Sequence, residues 1–219
     1  MAEIGLRERK KQRMYQVVSD LATRMFLEKG FDAVSVAEIA AAAEISKPTL
    51  FRYFPAKEDL VLHQIADHEG EAARVVAAAA EAPLVALRRH FLDGLERFDP
   101  VTGLNDEPGV LAFHSLLYGT PALVARLYPF LERSEEALAE ALGGGLDARL
   151  AAGQIIAVQR VLAHENWRRM AAGERAVAVR GEAVAAAERA FGLLAAGLPW
   201  LAKPQLAEPQ LAEPRDSRD

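Results

Sequence analysis

Lys47, Pro48, Thr49, Phe51, Arg52 and Tyr53 crowd a single short stretch, "EISKPTLFRYF" at 44–54. Lysine and arginine can meet guanine acceptors or phosphate, and threonine offers a hydroxyl and a methyl to a base edge. Proline has no N–H to lose in a first helical turn, and its ring suits a thymine methyl. Tyr53 and Lys57 are better placed for backbone phosphates, which fix register without reading sequence. The competing reading is a helical hairpin whose outer face is merely solvated. An exposed proline, phenylalanine and tyrosine beside two cations make a poor solvation face, so these residues favour nucleic-acid recognition.

The flanking residues supply the elements that would hold this face outward. Ser35 opens a helix with a capping box, "SVAE", in which Glu38 reaches back to the cap. Its apolar stripe is Val36, Ile39, Ala40 and Ala43. Three residues, "AEI", lead to a second helix capped by Ser46, and Pro55 ends it by disfavouring helical geometry at Phe54. Leu50 and Phe54 fall four apart on its inner side, with Ile45 filling the angle. This is the helix-turn-helix pattern, whose second helix can lie in the major groove. The candidate DNA contacts are Ser35, Val36, Ala37, Ser46, Lys47, Pro48, Thr49, Phe51, Arg52, Tyr53 and Lys57. The basic run "RERKKQR" near the start could also follow a phosphate backbone.

The net charge of −5 argues against nucleic-acid binding by the whole surface. Residues 1–60 nevertheless carry 10 Lys/Arg against 9 Asp/Glu, whereas residues 61–219 carry 16 against 22. Phosphate contact therefore belongs to the first sixty residues. No cysteine is present, which removes disulfides, thiolate metal sites and a cysteine nucleophile. "HENWRR" at 164–169 begins like a zinc-protease helix, but Arg168 stands where the second histidine would be. His63 and His68 are five apart, a poor spacing for two metal ligands on one helical face. "GGG" at 143–145 and "GLLAAG" at 192–197 lack the residues of a phosphate loop. No catalytic residue, metal or cofactor is assigned, and an enzyme is not expected. With no long apolar run and no signal-peptide core, the expectation is a cytoplasmic protein without a membrane partner.

Apolar spacings of three and four recur along the chain and strand signals are almost absent. They predict an all-α fold of about nine helices. The first runs from about Leu6 to Lys29, with Met14, Val17, Leu21 and Met25 on one face, and a fourth runs from the "PAKEDL" segment to about Ala82. Later helices cover about Leu84–Phe98, Val110–Tyr118, Pro121–Leu142 (kinked or interrupted at Pro129), Ala148–Ala172 and Arg175–Leu198. The domains expected are 1–56 for DNA binding, 57–200 for ligand binding and dimerisation, and 201–219, with its repeated "QLAEP", as a flexible tail.

Residues 26–61, "FLEKGFDAVSVAEIAAAAEISKPTLFRYFPAKEDLV", resemble the DNA-binding domain of TetR-family transcriptional repressors. The resemblance implies a homodimer on a palindromic operator, released by a small molecule held in the C-terminal helical domain. Three positions depart from the family pattern. Glu44 stands where the turn commonly has glycine, at roughly 1 kcal/mol or more if the backbone there is left-handed. Phe51 replaces a tyrosine, losing a phosphate hydrogen bond of about 0.5–1.5 kcal/mol. Ala56 replaces a serine, losing a cap of about 1 kcal/mol.

The remaining helices then divide between pocket and interface. Aromatics and scattered polar groups on apolar faces are the candidate pocket liners: Phe91, Phe113, His114, Tyr118, Tyr128, His164, Asn166, Trp167 and Met170. They suit a mostly hydrophobic effector with one or two hydrogen-bonding groups. Val184, Ala187, Phe191, Leu194 and Leu198, with Ile155, Val158 and Leu162, form stripes that suit a four-helix dimer interface or, alternatively, an intramolecular core. A helical sensor or adaptor that does not bind DNA is the alternative function.

Overall fold

The structure, a computed structural model, describes residues 6–202. Helices dominate, and no strand occurs among the described residues. The elements are α1 (Leu6–Lys29), α2 (Val36–Ala42), α3 (Lys47–Tyr53), α4 (Asp59–Leu62), α5 (Glu71–Ala78), α6 (Pro83–Glu96), α7 (Pro108–Gly119), α8 (Pro121–Ala141), α9 (Gly145–Ala171) and α10 (Ala176–Gly197). Two 3-10 turns, His63–His68 and Pro100–Thr102, complete them.

The single helix expected between 57 and 82 is broken into α4, the first 3-10 turn and α5. Gly70 takes a left-handed φ of 72°, and the Arg74 guanidinium folds back onto the carbonyls of Asp67 and Glu69. Those carbonyls find a side-chain donor instead of a continuing helix. α8, by contrast, runs through Pro129 without a break.

Two cores follow. The first joins Val18, Ala22 and Phe26 of α1 to Phe31, Val34, Ile39, Leu50, Phe54 and Leu60. Each large aliphatic or aromatic side chain buried there contributes about 1.5–3 kcal/mol. The α1 stripe is thus rotated from the one expected, since Met14 and Val17 are exposed. Leu117 of α7 and Leu123 of α8 enter the same core, tying the N-terminal unit to the rest.

The second core packs α6, α8, α9 and α10. Here the sequence-predicted interface needs correction. Ile155, Ala187, Phe191, Leu194 and Leu198 are buried within this one chain, and Val158, Leu162 and Val184 pack half-buried against them. The stripe closes the protein's own bundle, because α6 lies against α10 and takes up its apolar face. The boundary at 201 also moves: Leu201 is fully buried, and its carbonyl accepts from the Leu84 N–H at 3.1 Å. Residues 203–219, including both "QLAEP" copies, lie outside the described residues. No single described helix is long and apolar enough to cross a membrane; α7 and α8 qualify only as a pair bent by 92°.

Candidate nucleic-acid interface and cavity

Caps at both starts fix the α2–α3 unit. Ser35 Oγ accepts from Glu38 N (3.2 Å), and Glu38 Oε2 accepts from Ser35 N (2.8 Å), closing the capping box. Those bonds hold the Glu38 carboxyl below its usual range. Ser46 Oγ accepts from Thr49 N (3.2 Å) and lies 2.7 Å from Thr49 Oγ1. Leu50 is fully buried beneath α3, and Ile45 N bonds back to the Ala40 carbonyl. Glu44 adopts φ 54°, so the glycine position of the turn is left-handed and occupied by a residue with a Cβ. Glu44→Gly is therefore expected to raise stability by about 0.5–1 kcal/mol, the strain relieved less the extra entropy of unfolded glycine. Denaturant melts check this; an unchanged or lower midpoint contradicts it.

The outer face of α3 presents Lys47, Pro48, Phe51 and Arg52, all exposed, with Ser35, Ala37 and Ser46 exposed beside them. Lys47 Nζ lies over the Phe51 ring at 5.8 Å and Arg52 over Tyr53 at 5.5 Å. The sequence reading places the other members less well. Thr49 is half-buried with its hydroxyl engaged by Ser46. The Tyr53 ring packs edge-on against Tyr15 of α1, centroids 5.0 Å apart, and Val36 packs into the N-terminal core. Lys57 turns inward: its ammonium donates to the Phe31 carbonyl and sits 4.3 Å above the Phe31 ring. A cation held this way is a lock between the end of α3 and the α1–α2 loop, and its assignment to phosphate is corrected accordingly. The missing serine cap at 56 has a substitute, because Asp59 Oδ2 accepts from Ala56 N at 2.9 Å.

A cavity of about 1070 Å³ lies beyond this unit. Phe91, Phe113, His114, Tyr118, Tyr128 and His164 line it. Asn166, Trp167 and Met170 do not, since successive positions on α9 face different neighbours. Asn166 Nδ2 donates to the Thr102 carbonyl (2.9 Å), Trp167 packs behind Tyr118, and Met170 is core. The turn that Asn166 holds needs Gly103, whose φ is 70° and where a Cβ would lie 1.9 Å from the Ala163 carbonyl.

Sequence reasoning missed a cluster in the wall. Glu71 accepts from His68 (2.8 Å) and His90 (3.1 Å), which drives its carboxyl well below the usual range and raises His68. The helix break at Gly70 brings these groups together, and no spacing along one continuous helix reveals it. Among the described residues, no group of three or more His, Cys, Asp or Glu side chains is arranged to hold a metal ion. Thr23 of α1 was missed as well. Thr23 Oγ1 and His114 Nδ1 are buried without a hydrogen-bond partner among the described residues. An unpaired buried polar group costs about 1–3 kcal/mol.

Burial pushes His114 down from 6.5 to about 4. The folded state then binds fewer protons than the unfolded chain. Its contribution is complete above pH 6.5 and is lost as pH falls toward 4, by up to about 3 kcal/mol. Wild type is thus expected to lose stability relative to His114→Phe across that window. A gap between their denaturant midpoints that stays constant with pH contradicts this.

Residues 19–63 match the family model for bacterial regulatory proteins of the tetR family. The likeness to that family lies in these residues, which hold the helix-turn-helix. A curated relative, the HTH-type transcriptional regulator TcmR of Streptomyces glaucescens, is 35% identical over 136 residues, covering 60% of this chain. The chain spans only 58% of that relative's length. Among solved structures, a TetR-family regulator from Streptomyces coelicolor superposes with a TM-score of 0.52 at 23% identity, covering 83% of this chain and 96% of that one. GusR of Salmonella enterica gives 0.54 at 18% identity, covering 85% and 96%. Both carry the all-helical architecture.

In this chain, α8 connects the cavity to the helix-turn-helix. Tyr128 and Leu131 of α8 line the cavity. Arg126 grips Asp59 through two hydrogen bonds (2.8 and 3.0 Å), and Arg133 grips Glu69 likewise (2.9 and 2.8 Å). Paired N–H···O bonds fix orientation as well as distance. The two arginines thereby hold both ends of the segment that leaves the helix-turn-helix.

Proposed function

We propose that this chain is a homodimeric transcriptional repressor of the TetR family that binds a palindromic operator and is released by a small, mostly hydrophobic effector. One observation carries the reading: a doubly capped helix-turn-helix, within the family match, turns Lys47, Pro48, Phe51 and Arg52 to the exterior. The name of the curated relative supports a role in transcription. Two reader units on one twofold axis would occupy half-sites about one DNA turn, roughly 34 Å, apart.

The dimer face we propose is the outer side of α9 and α10. Leu150 (57% exposed), Val161 (56%) and Leu193 (76%) stand there as exposed aliphatics on otherwise small or charged surface. The effector occupies the 1070 Å³ cavity, and α8 carries its influence through Arg126 and Arg133 to the α3–α4 connection. Ligand favours a conformation in which the recognition helices no longer match successive grooves, and DNA favours the other, so each weakens the other's binding. Such a repressor works in the cytoplasm and needs no catalytic step. Selection from a random duplex pool tests the reading. Enrichment of a twofold-symmetric sequence is expected; a pool that stays random overturns it.

A further inference from the structure

The cavity is not confined to the C-terminal helices. α1, the first helix of the reader, contributes Thr23 to its wall, and α7 contributes His114. Both are nine-tenths buried, each 9% exposed. Both carry a polar side-chain atom, Thr23 Oγ1 and His114 Nδ1, with no partner among the described residues. Buried polar groups in folded proteins are ordinarily paired, so two unpaired ones on the wall of one cavity call for a function. Neither bears a charge: one is a hydroxyl, the other an imidazole that burial keeps neutral. A hydroxyl rotor and a neutral imidazole each donate and accept one hydrogen bond, which matches an alcohol or carbonyl group.

The charged groups of the wall are differently placed. Glu71 is already bonded to two histidines, and Asp20 Oδ1 accepts from Gln64 and Gln16. Arg24, Arg97, Arg160 and Glu132 are exposed to solvent, and Asp99 and Glu135 are half-buried, so none of these charges is fully buried. Phe91 and Leu117 supply buried apolar wall. A charged head placed among these groups would lose its hydration without gaining a buried counter-ion.

We propose that the effector is an uncharged, largely apolar molecule bearing a hydroxyl or carbonyl group, and that Thr23 and His114 take this group. The ligand then touches the reader's first helix directly, and its signal need not travel through α8 alone. This deepens the regulator reading and rests on it for the word effector.

Four probes on one skeleton test it with the full-length protein: pyrenemethanol, methylpyrene, pyrenecarboxylate and pyrenemethylammonium, followed by fluorescence anisotropy at neutral pH. Pyrenemethanol should bind at least about tenfold more tightly than either charged probe. Thr23→Val and His114→Phe should each weaken it by about three- to tenfold, and leave methylpyrene within about twofold. Thr23→Ser, which keeps the hydroxyl, should restore the affinity; circular dichroism melts of every variant establish that it is folded. A charged probe that binds as tightly, an alcohol affinity indifferent to both substitutions, or no binding by any probe overturns the proposal. If pyrenemethanol behaves as stated but leaves affinity for the selected duplex unchanged, the binding chemistry stands and the regulator reading fails.

Discussion

Phe191→Asp should unfold the protein rather than yield folded single subunits. Phe191 is 2% exposed, its ring lies 6.1 Å from Phe91, and the core of α6, α8, α9 and α10 closes around it. The substitution removes about 3–5 kcal/mol of aromatic packing and places an unpaired carboxylate in apolar surroundings. Their sum rivals the total stability of a typical domain, about 5–15 kcal/mol. Leu193→Asp, two residues on, makes the opposite case. Leu193 is 76% exposed, so a carboxylate there stays hydrated and the helix content should be retained. In sedimentation, Leu193→Asp should run as a folded monomer while Phe191→Asp loses its circular dichroism signal. A folded Phe191→Asp monomer, or a Leu193→Asp dimer as stable as wild type, would place the interface elsewhere.

The second large effect separates two cations that look alike in sequence. Arg52 stands on the exposed side of α3, and Lys57 is folded onto Phe31. Arg52→Ala should weaken binding to the selected duplex by about 1–3 kcal/mol, roughly 5- to 150-fold, and lower the salt dependence. Lys57→Ala should leave the salt slope unchanged and lower stability by about 1–2 kcal/mol, since a carbonyl loses its charged donor and two rings lose a cation. Titrations at two salt concentrations, paired with thermal melts, distinguish them. A flattened slope for Lys57→Ala with normal stability would return that residue to the phosphate backbone.

Local chemistry made the reader legible from sequence. The Ser35–Glu38 box, the cap at Ser46 and the stop at Pro55 act within a few residues, and the box closes between the two groups named in advance. The strain at Glu44 was readable for the same reason, because the turn dictates its φ. What escaped depends on contacts between distant segments. An apolar stripe on α10 states that something covers it, and only the position of α6 reveals that the cover is the same chain. Lys57 is cationic in any reading, yet its partner lies 26 residues earlier. The cluster of His68, Glu71 and His90 exists because the backbone turns at Gly70 and α6 runs alongside, so neither spacing nor residue type announces it. Thr23 reads as one more residue of α1 until α7 and α8 close a cavity against that helix.

The central claim is that the face bearing Lys47, Pro48, Phe51 and Arg52 reads a DNA sequence. The most direct measurement is the affinity of the wild-type protein for its selected duplex and for a scrambled duplex of equal length, each at about 50 and 200 mM salt. The claim predicts that the selected duplex binds at least about a thousandfold more tightly, with both affinities falling as salt rises. Equal affinity for the two duplexes would contradict it.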